Sequence, residues 1–293
     1  MNSIFSFRSF LYLVYAVVLT AVLLYVRFPA EKFKTYCEKR IEQVLPGSVC
    51  RIDRVGYRFP ASASFETITI SRPIDGQQAA MTVDRIDVTP EPLQFWKDFK
   101  LKGEIYSGLF EADLHLDSRT QTFSLSDIYL DGIDAGEFAA GIGLTDRKVT
   151  GVMAYSGTYQ GKNSQPGDGT GNGLFQIEAG SMTLLQPILS LSSIEFEKLA
   201  FGVIHEEGVL RLVEGELLGK EVVADFTGDV KISSPLLHSN ILLSGHLEPD
   251  GDFLRSNPEQ QQVVQQLLQR YKMTVLPFKV GGTLKRPLFR FSM

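Results

Sequence analysis

"EVVADFTGDVKIS", Glu221 to Ser233, sets Val222, Ala224, Phe226, Val230 and Ile232 on one side of an extended chain and Val223, Asp225, Thr227, Asp229 and Lys231 on the other. A helical period of 3.6 would mix the two sets, and a period of two separates them. The stretch therefore predicts a strand of an antiparallel sheet with one covered and one wetted face.

The same period recurs on both sides of it. Phe110, Ala112, Leu114 and Leu116 alternate with Glu111, Asp113, His115 and Asp117. "SVCRIDR", "SFETITIS", "AAMTVDRIDVTP", "TFSLSDIYL", "EFAAGIGL", "KVTGVMAYSGTY", "GLFQIEAG", "SIEFEKLAFGVIHE", "GVLRLVEGEL" and "SNILLSGHLEP" each predict a strand or a tight strand pair. The fold class is mainly β: a long, curved, mostly antiparallel sheet with a short helix near each end. About fifteen strands at a spacing of roughly 4.8 Å would extend on the order of 70 Å. The apolar face, carried by the 110–116 and 222–232 sets, is either the core of a roll or the lining of a groove, and alternation does not separate these.

The helices are amphipathic. "AEKFKTYCEKRIEQVL" (30–45) spaces Phe33, Cys37, Ile41 and Val44 along one stripe. Asn257 and Pro258 open a second helix over 258–272. "PEPLQFWKDF" around Trp96 predicts a helical turn, and "GKNSQPGDGTGNG" (161–173) predicts a flexible loop. The latter is no phosphate loop, because a strand follows it and no Lys-Ser/Thr pair does.

Residues 9–26, "SFLYLVYAVVLTAVLLYV", hold no charge between Arg8 and Arg27. At about 1.5 Å per residue they reach roughly 27 Å, close to a hydrocarbon core of about 30 Å. They predict a transmembrane helix over 9–27 and not a cleaved leader, since no small-residue cleavage site follows. Arg27, Lys32, Lys34, Lys39 and Arg40 after the span oppose export by charge bias, yet long domains translocate largely regardless of it. Residues 1–8 are expected in the cytoplasm and 28–293 as an exported β domain.

Of 29 basic side chains only Arg8 and Arg27 fall within residues 1–29, leaving 27 against 34 acidic ones beyond. An acidic domain of this kind excludes nucleic acid as partner. Cys37 and Cys50, the only cysteines, are either one disulfide, worth about 3 kcal/mol for a loop of this size, or two small buried hydrophobes. His115, His205, His238 and His246 are scattered, and Asp127, Asp131, Asp134 and Glu137 lack the spacing of a calcium loop. No nucleophile, metal or redox motif is present, so neither enzyme activity nor a cofactor is expected.

Three features in order carry a family likeness: the amino-terminal span with its short helix, "LPGSVCRIDRVGYRFPASASFETITIS" (45–71), and an amphipathic helix leading into "LPFKVGGTLKRPLFRF". With its Gly282, Thr283, Leu284 and Pro287, this order resembles the AsmA-like superfamily and, within it, the type II secretion system protein N family. The resemblance implies a single-pass protein of the Gram-negative inner membrane with its bulk in the periplasm. It also implies an accessory, non-enzymatic role in exporting folded proteins, with other secretion-system membrane proteins as partners. The AsmA-like relatives imply the alternative, an AsmA-like or LPS-transport-like periplasmic lipid conduit with an apolar groove.

Overall fold

The computed structural model describes residues 7–26, 29–45, 47–58, 61–74, 77–94, 96–271 and 275–292. Among these residues fourteen strands lie in one sheet in chain order, antiparallel throughout. They are β1 (Val49–Arg58), β2 (Ser62–Ile74), β3 (Gln77–Pro90), β4 (Asp98–Ile105), β5 (Gly108–Asp117), β6 (Thr122–Asp134) and β7 (Val149–Lys162). Then come β8 (Gln165–Ile188), β9 (Leu191–Glu206), β10 (Val209–Gly219), β11 (Val222–Lys231), β12 (Asn240–Pro249), β13 (Leu276–Gly282) and β14 (Pro287–Phe291). Helices α1 (Phe7–Val26) and α2 (Ala30–Val44) precede the sheet, α3 (Ala135–Gly141) follows β6, and α4 (Gly251–Ser256) and α5 (Pro258–Tyr271) join β12 to β13.

Register aligns the apolar positions into continuous rows across the sheet. One row runs Ile133, Met153, Ile177, Leu199, Leu217, Ala224, Leu247 and Leu276 from β6 to β13. The next holds Phe110, Leu130, Tyr155, Phe175 and Phe201, and continues through Phe226 and Gly245 to Phe278 and Phe291. Phe175 and Phe201 stack at 4.8 Å between ring centroids and Phe201 meets Phe226 at 6.0 Å. Such ring pairs add about 0.5–1.5 kcal/mol each beyond area burial.

Among the described residues no second sheet covers this face, so the sheet covers itself. Thirteen steps of about 20–25° of twist accumulate to more than half a turn. As a result Phe289 and Phe291 of β14 pack into the same core as Tyr106, Phe138 and Ile188. The curl is fastened by connections: Arg72 Nη1 donates to Ser234 Oγ at 2.6 Å, and the buried Arg147 guanidinium donates to the Lys285 carbonyl. Ala79, Ile142, Leu144 and Leu237 close a small cluster there. Among the described residues β1 and β14 do not pair, and the sheet stays open.

Two two-residue turns help hold the roll in an unexpected way. Tyr106-Ser107 and Leu189-Ser190 have positive φ (47 and 65°, 47 and 64°), as a hairpin twisted with its strands requires. No glycine is used at either turn. Each left-handed residue costs about 1 kcal/mol or more, offset by burial of Tyr106 and Leu189 to 8 % exposure each. The Tyr106 ring meets Phe138 edge-on, and its hydroxyl accepts from the Thr82 amide at 3.3 Å.

The edges are treated differently. The apolar stripe of α2, Phe33, Cys37 and Ile41, packs on Cys50, Ile52, Val55 and Ile68. Its glutamates reach the outer backbone of β1: the Cys50 amide donates to Glu42 Oε1 at 3.1 Å and the Ile52 amide to Glu38 Oε1 at 2.9 Å. Lys34 Nζ donates to the Asp53 carbonyl at 3.3 Å. A helix thus occupies hydrogen-bonding positions that a new strand would need. At the far edge Pro287 removes one donor from β14.

Two local expectations are corrected. "EFAAGIGL" is not a strand: α3 forms because the Asp134 side chain caps it, accepting from the Glu137 amide at 2.8 Å. Around Trp96 the expected helical turn is present, the Asp98 amide donating to the Gln94 carbonyl at 3.1 Å, four residues back. The glycine-rich 161–173 segment is no loop, being a hairpin whose second arm opens the 24-residue β8. The helices expected over 30–45 and 258–272 are present as α2 and α5.

Val280 and Phe289 are paired on the inner face, and Lys279 and Arg290 on the outer one. Val280→Asp should lower unfolding free energy by roughly 2–3 kcal/mol, and Lys279→Gln should leave it within about 0.5 kcal/mol. Urea denaturation of the two variants checks this; equal small losses would contradict the inward register of the terminal hairpin.

Candidate functional site

The outer face carries charge, including Lys102–Glu111 at 2.7 Å, Arg54–Glu66 at 3.1 Å and Arg211–Asp229 at 3.5 Å. These pairs are solvent-exposed and contribute little, about 0–1 kcal/mol each. His115 pairs with Asp98, and His246 with Asp225 at 3.1 Å, also on this wetted side. Asp127 and Asp131 are exposed, and Asp134 is the α3 cap. No group of three metal-ligating side chains occurs among the described residues.

The inner face differs along the length of its strands. Where Met153, Ile177, Phe196, Val222, Ala224, Leu247, Leu276 and Phe278 meet, it is filled, and Val264 of α5 inserts into it at 2 % exposure. Further along β7 to β11 the filling stops. There Tyr155, Tyr159, Val203, His205, Leu210 and Ile232 line a cavity of about 310 Å³. A second hollow, of about 440 Å³, is lined mainly by the alternate, outward rows, Ser124, Gln160, Thr170 and Glu206 with Thr158, Asn172 and Ile204.

Register explains how this lining is assembled. Tyr159 on β7, Gly171 on β8, His205 on β9, Leu210 on β10 and Val230 on β11 form one row. At Gly171 an added Cβ would lie 2.6 Å from the Thr158 carbonyl and 2.9 Å from Tyr159 Cδ2. At Gly173 it would lie 2.5 Å from the Tyr155 hydroxyl. Alternate glycines on β8 therefore leave the space in which the two tyrosine rings lie. The Tyr159 hydroxyl is fixed by the β7–β8 hairpin, donating to the Pro166 carbonyl at 2.6 Å and accepting from the Gly169 amide at 3.1 Å.

His205 faces Tyr159 with ring centroids 5.5 Å apart and is 7 % exposed. Among the described residues neither of its ring nitrogens has a hydrogen-bond partner. A buried imidazole in this state is unusual, because each unpaired polar atom costs about 1–3 kcal/mol. Burial raises the Tyr155 phenol above its ordinary range.

The expected lining residues divide. Val222 and Ala224 are buried core, Phe226 packs among the aromatic rings, and Val230 is buried in the His205 row. Ile232 borders the cavity and is 36 % exposed. Ala112 is buried, Phe110 and Leu116 are half-buried, and Leu114 borders a separate hollow of about 230 Å³ with Phe99 and His115. Gly282, Thr283, Leu284 and Pro287 build the β13–β14 turn. Thr283 Oγ1 accepts from the Arg286 amide at 3.1 Å, and the Leu284 amide donates to the Ser239 carbonyl at 3.0 Å. This motif docks the last hairpin on the β11–β12 connection and does not touch the cavity lining. His205, Tyr155 and Tyr159 were missed as a set, although the alternation of Gly167, Gly169, Gly171 and Gly173 was a period-two signal inside a stretch read as a loop.

Cys37 and Cys50 are free thiols sharing the α2–β1 cluster. Burial, then the nearby Glu38 and Glu42 carboxylates and Cys37, push the Cys50 thiol up to about 11. Burial and Glu38 also raise Cys37.

Compared with known proteins, the chain matches no family model, no curated protein and no solved structure.

Two outcomes test this geometry. Gly171→Val should cost about 1–3 kcal/mol, since its side chain meets both Tyr159 and backbone; thermal unfolding of the variant measures it. The thiolate population at pH 8 falls about a hundredfold between a pKa of 9.0 and one of about 11, so Cys50 should alkylate that much more slowly in the folded chain than after denaturation. A thiol raised on folding contributes stability that is present below pH 9 and fades as pH rises through about 11. Equal iodoacetamide rates for native and denatured protein would contradict the burial.

Proposed function

We propose that this is a membrane-anchored, non-enzymatic accessory component of a type II protein secretion system, its β domain in the periplasm and its anchor in the inner membrane of a Gram-negative cell. The anchor rests on the sequence of residues 9–27. Helix α1 covers Phe7–Val26, with residues 27 and 28 and the side chains beyond Leu19 outside the described set. Among the described residues no helix is long and apolar enough to cross a membrane.

The observation that carries the reading is the way the sheet is finished at its two ends. A helix adjoining the candidate anchor seals β1, and the Gly-Thr-Leu-x-x-Pro turn pins the last hairpin. These are the same two ends whose sequences resemble the protein N family. A single sheet so finished offers partners its outer face and the β14 edge, which suits a scaffold. Deleting the gene in a strain with an otherwise complete secretion system should leave folded exoproteins in the periplasm. Export at the wild-type level would refute the assignment.

The apolar cavity favours a second reading, a lipid conduit of the AsmA-like kind. A photo-crosslinker at Ile232 should then capture lipid in cells, and capture of protein alone would overturn it.

A further inference from the structure

We infer that the cavity on β7–β11 is a binding site for an amphiphile, its hydrocarbon chain on Tyr155, Val203, Leu210 and Ile232 and an anionic oxygen headgroup, carboxylate or phosphate, on the imidazole of His205. This rests on the lipid reading above and adds the polar determinant to it.

Two independent observations converge. The cavity, about 310 Å³, falls in the range of ligand pockets, about 300–1,000 Å³, and such pockets combine apolar walls with a few polar groups that fix orientation. The polar group here is His205, buried, its ring tilted against Tyr159 at 5.5 Å, and with both nitrogens unpaired among the described residues. Its row-mates Tyr159, Gly171, Leu210 and Val230 carry no charge, and Glu206 beside it belongs to the exposed alternate set. No row-mate carboxylate competes for the ring. An oxygen anion would accept from one ring N–H, a bond assisted by the charge of the acceptor. A pure hydrocarbon would leave the ring nitrogens unpaired, and a wholly polar ligand would leave Leu210 and Ile232 wet. Tyr159, locked by Pro166 and Gly169, packs against the imidazole and keeps it in place.

The test uses the full-length protein in dodecyl maltoside with three chain-diazirine probes: palmitate, lysophosphatidate and headless hexadecane. Labelled peptides are mapped by mass spectrometry. Palmitate, lysophosphatidate or both should label residues 191–232, and which of them does so identifies the source of the head. His205→Phe keeps a flat ring on Tyr159 and removes only the nitrogens, and His205→Leu removes the ring as well. Either variant, whichever folds, should lose about tenfold of the anionic-probe labelling while hexadecane labelling stays unchanged. Headgroup probes that label both variants as they label wild type would overturn this inference alone. Absence of labelling by all three probes would overturn it together with the lipid reading.

Discussion

A single sheet with one apolar face and no second layer has to cover that face with itself, and the arrangement of this protein follows from that requirement. Thirteen antiparallel pairings keep register well enough that Ile133, Met153, Ile177, Leu199, Leu217, Ala224, Leu247 and Leu276 form one uninterrupted row. A slip of one residue in any strand would turn that strand's share of the row to water. Twist then brings strands distant in the chain together, so that Phe289 and Phe291 share a core with Tyr106.

Self-coverage leaves two strand edges, and the chain manages them with unlike devices. At β1 the carboxylates of Glu38 and Glu42 take the amides of Ile52 and Cys50, so helix α2 is both a hydrophobic cover and a hydrogen-bonding surrogate strand. At β14 the device is local: Pro287 lacks an amide, and Lys279 and Arg290 lie side by side on the outer face. Because the connections at Ser234–Ser239 and Thr283–Arg286 tie the far end to β2, β3 and the α3 segment, the sheet is held curled without closing into a barrel.

Self-coverage is also incomplete. The curled inner face is filled where α5 and the last strands reach it, and a cavity stays open beside the glycines of β8. Tyr155 and Tyr159 lie in the space those glycines leave, and the imidazole of His205 is set among them without a partner. An inner face built solely for stability would have no use for unpaired buried nitrogens, which is why this region, and not the filled half with Val222 and Ala224, carries the binding reading.

Much of the architecture was legible in the residues alone. The alternation of Val222 to Ile232 and Phe110 to Leu116 determined the strands and their inner sides, and the stripes of 30–45 and 258–272 determined two helices, because these periodicities are local properties of the backbone. Local pattern misjudged "EFAAGIGL", where the Asp134 cap outweighs the apolar alternation, and 161–173, where glycine propensity hid a strand stabilised by its neighbours on β7 and β9. Of the expected groove residues, Val222, Ala224 and Phe226 belong to the filled core, whereas Ile232 borders the cavity and Leu114 a separate hollow. Which part of the face is filled depends on where the twist carries β14 and α5, and that is a sum over all the strands. His205 likewise acquires meaning only from Tyr159 and Leu210, 46 residues before it and five after it in the sequence. The sequence by itself determined the period and thereby the greasy face. Only the tertiary structure decided where that face closes on itself and where it stays open, because curvature is set by long-range pairing and not by any single strand.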